Sequence, residues 1–375
     1  MDMKKQLHLK RTLKLPQVII FGLAYMAPMI VFGTYGILAE TTHGSVPTAY
    51  VVALIAMLFT AYSYGKMVKA FPTSGSAYTY TRKSISSHLG FIIGWAILLD
   101  YLFLPMVIWL IGSVYLHSAF PSVPLWIWII AFIVITTIIN VISVKMTTNV
   151  NFFMMVFQLL VIAFFLILSI MNITSNTGGN SFDHNPFFNS HSSLSSILAG
   201  ASIACYSFLG FDAVTTMSEE TLQPEKTLPR AILLVTFIGG IIFVISSCFL
   251  YLVHPNYTDF QNLDSAAFEI AKQIGGTLLS SIFLAGMIIA QFASGIAAQA
   301  SGARLLYAMG RDNVLPTKLF GYLNAKTKTP IINIVIIGAI SLLAVNMDVT
   351  TSTSFINFGA FLTFIFVNVD VIFHY

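Results

Sequence analysis

The chain has 375 residues, 57% of them hydrophobic, 14% aromatic and only 9% charged, where a soluble domain carries roughly 25% charged residues. That balance excludes a soluble globular protein, and a net charge of +4 makes no case for nucleic-acid binding. Two cysteines, Cys205 and Cys248, both inside apolar runs, exclude a disulfide framework or a CxxC metal site, and the eight histidines lack HExxH-type spacing.

In chain order, residues 1–16 form a basic tail with Lys4, Lys5, Lys10, Arg11 and Lys14. No apolar stretch precedes them, so no cleaved signal peptide is expected. Ten apolar runs follow, near 17–39, 46–70, 89–117, 124–144, 150–171, 194–217, 230–253, 278–306, 330–346 and 352–372. Each is close to the roughly 20 residues that cross a hydrocarbon core. The first run is interrupted by Ala27-Pro28-Met29, and the sixth by the stretch SFLGFD from Ser207 to Asp212. Unwound backbone survives inside a bilayer only where it lines a cavity or is buried in protein, so both breaks mark a candidate site.

The connections are short, and no soluble domain interrupts the membrane part. Residues 71–84 (FPTSGSAYTYTRKS) are too polar to span and are predicted to form a short cytoplasmic helix after Pro72. Residues 172–193 are rich in Asn, Ser and Gly and read as an outward surface loop. Residues 264–274 (DSAAFEIAKQI) have apolar positions at helical spacing and fit the outer interface.

Orientation follows from the loop charges. With the N-terminus inside, the cytoplasmic side collects 17 of the 18 Lys and Arg residues, and the opposite side holds only Lys272. If spans one to five form one unit (about 17–171) and six to ten another (about 194–372), the second unit starts on the opposite face, because five is odd. The repeats are then inverted, and each begins with its broken helix. The expected fold is therefore an all-α integral membrane protein with the LeuT-like five-plus-five inverted repeat, residues 17–375 forming one transmembrane domain.

Several stretches also look familiar: GLAYMAPMIVFGTYGI from Gly22, SYGKMVKAFPTSGSAYTYTRKSI from Ser63, GWAILLDYLFLP from Gly94, YSFLGFDAVTTMSEET from Tyr206, SGARLLYAMGRDNVLP from Ser301 and FINFGAFLTFIFVN from Phe355. With them the sequence resembles the amino acid–polyamine–organocation permeases, most closely the putrescine importer group. The resemblance implies a plasma-membrane secondary transporter that imports putrescine or a related small polyamine by alternating access, with proton coupling favoured over sodium and no cofactor. Two departures are visible. Family members usually have twelve spans, whereas this chain reaches Tyr375 near the end of the tenth, and the resemblance suggests an acidic residue where Gly33 stands. An amino acid permease is the alternative within the family; a non-transporting or truncated, inactive membrane protein is the alternative from another class. The lack of a nucleophile–base pair or metal spacing weighs against an enzyme.

An ionisable residue within a span costs roughly 2.5–3.5 kcal/mol on insertion scales, so it faces the bundle interior or water. Asp100 in the third span and Asp212 at the break of the sixth are the two deep acids. Asp100 is read as a substrate ligand or as a hydrogen-bonding group to a neighbouring helix, and Asp212 as a ligand, a proton carrier or a cap on the second half-helix. Pro28 supplies no N–H for an anion, so Ala27-Pro28-Met29 offers mainly the carbonyls at the end of the first half-helix, a partial negative charge suited to a cation. By resemblance, Tyr101 matches a substrate-contacting tyrosine and Tyr206 a gating aromatic of the arginine–agmatine exchangers. Phe208 and Gly210 lie in the sixth-span break, and Tyr25 and Phe32 flank the first. All the aromatic residues have ordinary helix packing as the alternative. Glu219 and Glu220 are candidates for an inner gate or proton acceptor, or for pairing with basic cytoplasmic loops, which Arg304 and Arg311 are expected to anchor. Ser294, in the eighth span, is a weak candidate for a cation site.

Overall fold

The computed structural model describes residues 11–142, 144–175, 185–188, 192–261, 263–324, 327, 329–347 and 349–375. Lys4, Lys5, Lys10, Lys326 and Lys328, the side chains of Lys145 and Asp264, and most of the outward loop at 172–193 lie outside the described residues.

Among the described residues eight helices are long and apolar enough to cross a membrane, and the bent pair Leu15–Met26 and Ile30–Thr41 makes a ninth span. The ninth run along the chain is a shorter apolar helix, Ile331–Asn346, whose second half is a tight 3₁₀ turn. All ten runs read from the sequence are thus helical. Ser76–Ser84 forms the short polar helix after Pro72, and Ala266–Arg311 is two helices joined at Gly275 and Gly276, which leave helical φ/ψ. That joint separates the amphipathic segment from the eighth span.

Both breaks lie where the sequence put them. The first half-helix ends at Met26, Ala27 adopts a left-handed φ of 46°, and the helix resumes at Ile30 with a 43° bend. The sixth span runs as an α-helix over Leu194–Ala204, tightens to 3₁₀ over Cys205–Phe208, turns at Gly210 with φ 108°, and continues as a 3₁₀ turn over Asp212–Met217. Proline at the first break has no intrahelical donor to lose, because the ladder is already interrupted there.

Spans at matching places in the two halves of the chain pack along one another. The second span, Val46–Ala70, packs along its repeat mate, the seventh, Pro224–Val253. The third, Ser87–Ala119, packs along the eighth, and the fourth, Leu125–Ile142, along the ninth. In the sixth span 72% of the most apolar window is buried inside the protein, against 28% in the fourth and 33% in the fifth, Val144–Ser175. The broken spans therefore form the centre, and the fourth and fifth turn Ile130, Ile138, Phe153 and Leu160 toward lipid.

Candidate functional site

Four spans converge where the two breaks meet. Gly210 sits so close to Tyr25 that a Cβ on it would lie 2.0 Å from the tyrosine ring. Glycine is required here twice over, for its positive φ and for that approach. Gly210→Ala is expected to add roughly 1–3 kcal/mol of backbone strain and to push the Tyr25 ring out of place. Uptake is expected to fall at least tenfold, with a lowered melting temperature of the detergent-solubilised protein as the accompanying readout.

Tyr25 closes the first half-helix, and its carbonyl accepts a hydrogen bond from Ser294 Oγ at 2.5 Å. One of the carbonyls expected to be free at this helix end is thus held by the eighth span. The Tyr25 ring lies 6.4 Å from that of Tyr101, and the Tyr101 hydroxyl donates to Asp212 Oδ2 at 2.7 Å. Asp212 opens the second 3₁₀ turn without a side-chain cap at Phe211, the residue before it. Asp100, one residue before Tyr101, is 2% exposed, beside the point where Gly359 of the tenth span, Val349–His374, meets the third.

Three polar atoms at this junction have no hydrogen-bond partner although they are fully enclosed: Tyr25 Oη, Asp100 Oδ1 and Asp212 Oδ1. They lie within electrostatic reach of one another, and Tyr206 lies within reach of Asp100. Buried polar atoms normally find partners, so this cluster has the form of a site awaiting donors. An ammonium group offers three donors and no acceptor.

The other predicted residues distribute around this point. Pro28 and Met29 are buried, with Met29 Sδ against Gly286 of the eighth span. Phe208 packs edge-on against Phe243 of the seventh span, ring centroids 5.2 Å apart, and Phe32 packs edge-on against Phe165 and Phe283. Gly33 has room: a Cβ there would meet nothing nearer than Met287 Cε at 3.5 Å. Two residues were missed. The Tyr50 hydroxyl, in the second span, bonds Thr34 and Ser207, each at 3.0 Å, and so ties the second half of the first span to the sixth-span break. Tyr64 packs edge-on against Phe211. Neither stands out among 15 tyrosines in the sequence.

At the far end of the sixth span Glu219 and Glu220 pair with the eighth span rather than with the loops. Arg311 meets Glu219 and Arg304 meets Glu220, each at 2.7 Å. The Glu220 pair is nearly sealed, at 7–8% side-chain exposure, and the guanidinium lies over the Phe21 ring. The Glu220 carbonyl accepts from the amides of Thr12 and Leu13, and the Leu13 carbonyl accepts from Leu222. The start of the first span is thereby strapped to the end of the sixth. Burial pushes the Glu219 carboxyl up, but Arg311 and the Ser74 donors outweigh it and hold the carboxyl below the usual glutamate range. Burial alone would raise a carboxyl here; the arginine reverses the direction and keeps Glu219 ionised.

An amino acid permease family model matches residues 17–373. The chain is 44% identical to the low-affinity putrescine importer PlaP of Escherichia coli, over 98% of this chain and 81% of that protein. It is 24% identical to the branched-chain amino acid permease BcaP of Bacillus subtilis, over 97% of this chain and 81% of the relative. A solved structure of a Na+-coupled sialic acid symporter in a substrate-bound outward-open state superposes with a TM-score of 0.61 at 12% identity, covering 89% of this chain and 74% of the other. The fold is that of the LeuT-like transporters, and the chain is a multi-pass membrane protein belonging to the amino acid permease family.

Proposed function

We propose that this protein imports putrescine or a closely related small diamine by alternating access, driven by a coupled proton. The observation that carries the reading is the junction of the two breaks, where Asp100 and Asp212 leave carboxylate oxygens unpartnered beside the Tyr25 hydroxyl. Two acids with no basic partner among the described residues within ion-pair distance match a substrate with two ammonium groups in charge and in hydrogen-bond sense. An amino acid zwitterion would bring a carboxylate next to them. The name of the relative PlaP supports the same substrate.

In this reading Asp100 and Asp212 hold the ammonium groups, and Tyr25, Tyr101 and Tyr206 line the path. The Ala27-Pro28-Met29 break supplies carbonyl dipoles, and Gly210 keeps the sixth-span turn open. Phe208 supports the turn from behind. Glu219 and Glu220 with their arginines, strapped to residues 12–13, form the inner gate. The repeats span about 17–171 and 194–372. The cell membrane is the location, with the N-terminus cytoplasmic, as the lysine and arginine distribution requires.

Competition in whole-cell uptake tests the substrate. Labelled putrescine entry is expected to be blocked by excess unlabelled putrescine and unaffected by alanine or lysine. Equal inhibition by alanine or lysine would remove the diamine assignment in favour of an amino acid permease.

A further inference from the structure

Another buried acid lies apart from the site, at the cytoplasmic end of the tenth span. Asp370 is 0% exposed. Its Oδ2 accepts a hydrogen bond from Thr81 at 2.7 Å, and its Oδ1 has no partner. No basic side chain among the described residues lies within ion-pair distance of it. A carboxylate so placed has no counter-ion, and burying an unpaired charge is costly.

The tenth span packs against the second and third spans and against the Ser76–Ser84 helix. Each contributes ionisable groups, and the cationic ones are turned elsewhere. From the second span Lys66 lies over the Tyr62 and Tyr375 rings, and Lys69 is exposed. From the short helix Arg82 is taken by Tyr78 and Asp312, and Lys83 lies over Phe71. The third span brings Asp100 and Tyr101, and its His88 is exposed. On the tenth span itself, His374 stacks edge-on against Phe71.

The groups left facing the acid are tyrosines. Tyr64 is within electrostatic reach of Asp370, of Asp100 and of Asp212, and its hydroxyl is buried without a partner. Its ring lies 6.2 Å from that of Tyr80. The Tyr80 hydroxyl, also without a well-formed hydrogen bond, lies beside Thr215, which donates to the Asp212 carbonyl at 2.7 Å. Tyr64 is therefore within electrostatic reach of the site acids and of Asp370 alike, with Tyr80 beside it.

The geometry points to Asp370 as a proton-binding site on the cytoplasmic side, reached from Asp100 and Asp212 through Tyr64 and Tyr80, and serving as the last station of the coupling proton before the cytoplasm. The inference rests on the transport reading above. The proton enters from outside with the substrate, moves to the Asp370 carboxyl, and leaves into the cytoplasm; no bond other than O–H is made or broken. Release leaves a bare carboxylate that only water can solvate, so release is tied to opening of the cytoplasmic side.

The test compares accumulation with exchange in cells carrying the full chain. Asp370→Asn is expected to lose at least tenfold in accumulation of labelled putrescine against a gradient and to become insensitive to a protonophore. Exchange of labelled for unlabelled putrescine should stay within about twofold of wild type, because the substrate site is intact. Asp370→Glu should restore accumulation, and Tyr64→Phe should lower accumulation while sparing exchange. Accumulation by Asp370→Asn with wild-type protonophore sensitivity would overturn the proposal. So would loss of exchange together with accumulation at normal membrane levels, since that marks a structural role. A wild-type chain that exchanges without accumulating would sink this inference alone; one that does neither would sink the transport reading as well.

Discussion

Asp100→Asn is expected to reduce putrescine uptake at least 100-fold while leaving the amount of protein in the membrane unchanged. The side chains are nearly the same size, and Asp100 Oδ1 has no hydrogen bond to lose, so folding is little affected. What changes is the charge opposite a buried ammonium. Removing one member of a buried pair costs about 3–5 kcal/mol, and each 1.4 kcal/mol is tenfold in affinity. Concentration-dependent uptake, normalised to membrane protein by immunoblot, measures it. Uptake by this variant near the wild-type rate would remove Asp100 from the site and leave its burial to helix packing.

The second large effect is expected at the inner pair. Arg304→Met leaves the Glu220 carboxylate enclosed without its counter-ion, and breaking a pair buried to this degree costs about 3–5 kcal/mol. The loss should be read as a lower melting temperature in detergent. Pairing it with Glu220→Gln removes the stranded charge, and the double variant should regain most of the lost stability. The same double variant tests the gate. The strap from Thr12 and Leu13 reaches Glu220 through its backbone carbonyl, so it survives the substitution, whereas the link to the eighth span does not. Cysteines placed at the cytoplasmic end of the sixth span should then be alkylated faster from the inside. Unchanged alkylation would show that the pair stabilises the fold without gating it. A double variant no more stable than Arg304→Met would show that the arginine acts through its packing on Phe21.

The half-buried inner pair behaves differently. Glu219 and Arg311 are 20% and 34% exposed, and pairs reached by water contribute little. The two glutamates are adjacent in sequence, and only burial distinguishes a sealed latch from a solvated contact.

Much of this protein was legible in its sequence. The span count and the two break positions follow from composition, because a bilayer demands long apolar runs and penalises open backbone so strongly that Pro28 and the Ser207–Asp212 stretch stand out. The inverted repeat follows from counting spans to an odd number. The depth of Asp100 and Asp212 follows from the cost of placing an acid in a helix otherwise fit for lipid.

The tertiary structure decided which of those residues meet. The reach of Tyr25 to Gly210, the Tyr101 bond to Asp212, the Tyr50 bridge between the first and sixth spans and the Thr81 bond to Asp370 all join residues far apart in the chain. In a sequence with 32 phenylalanines and 15 tyrosines, nothing local separates an aromatic residue of the site from one that only packs. Phe208, in the middle of a break, turns its ring to Phe243, whereas Tyr64, in an unbroken helix, stands between three acids. Charge pairing was equally hidden. Arg304 and Arg311 looked like loop anchors because positive residues near span ends usually are, and only the crossing of the sixth and eighth spans brings them to Glu219 and Glu220. Hydrophobic patterning and backbone chemistry act along the chain, where a reader can follow them, but the partners of a buried polar group are set by how the helices cross.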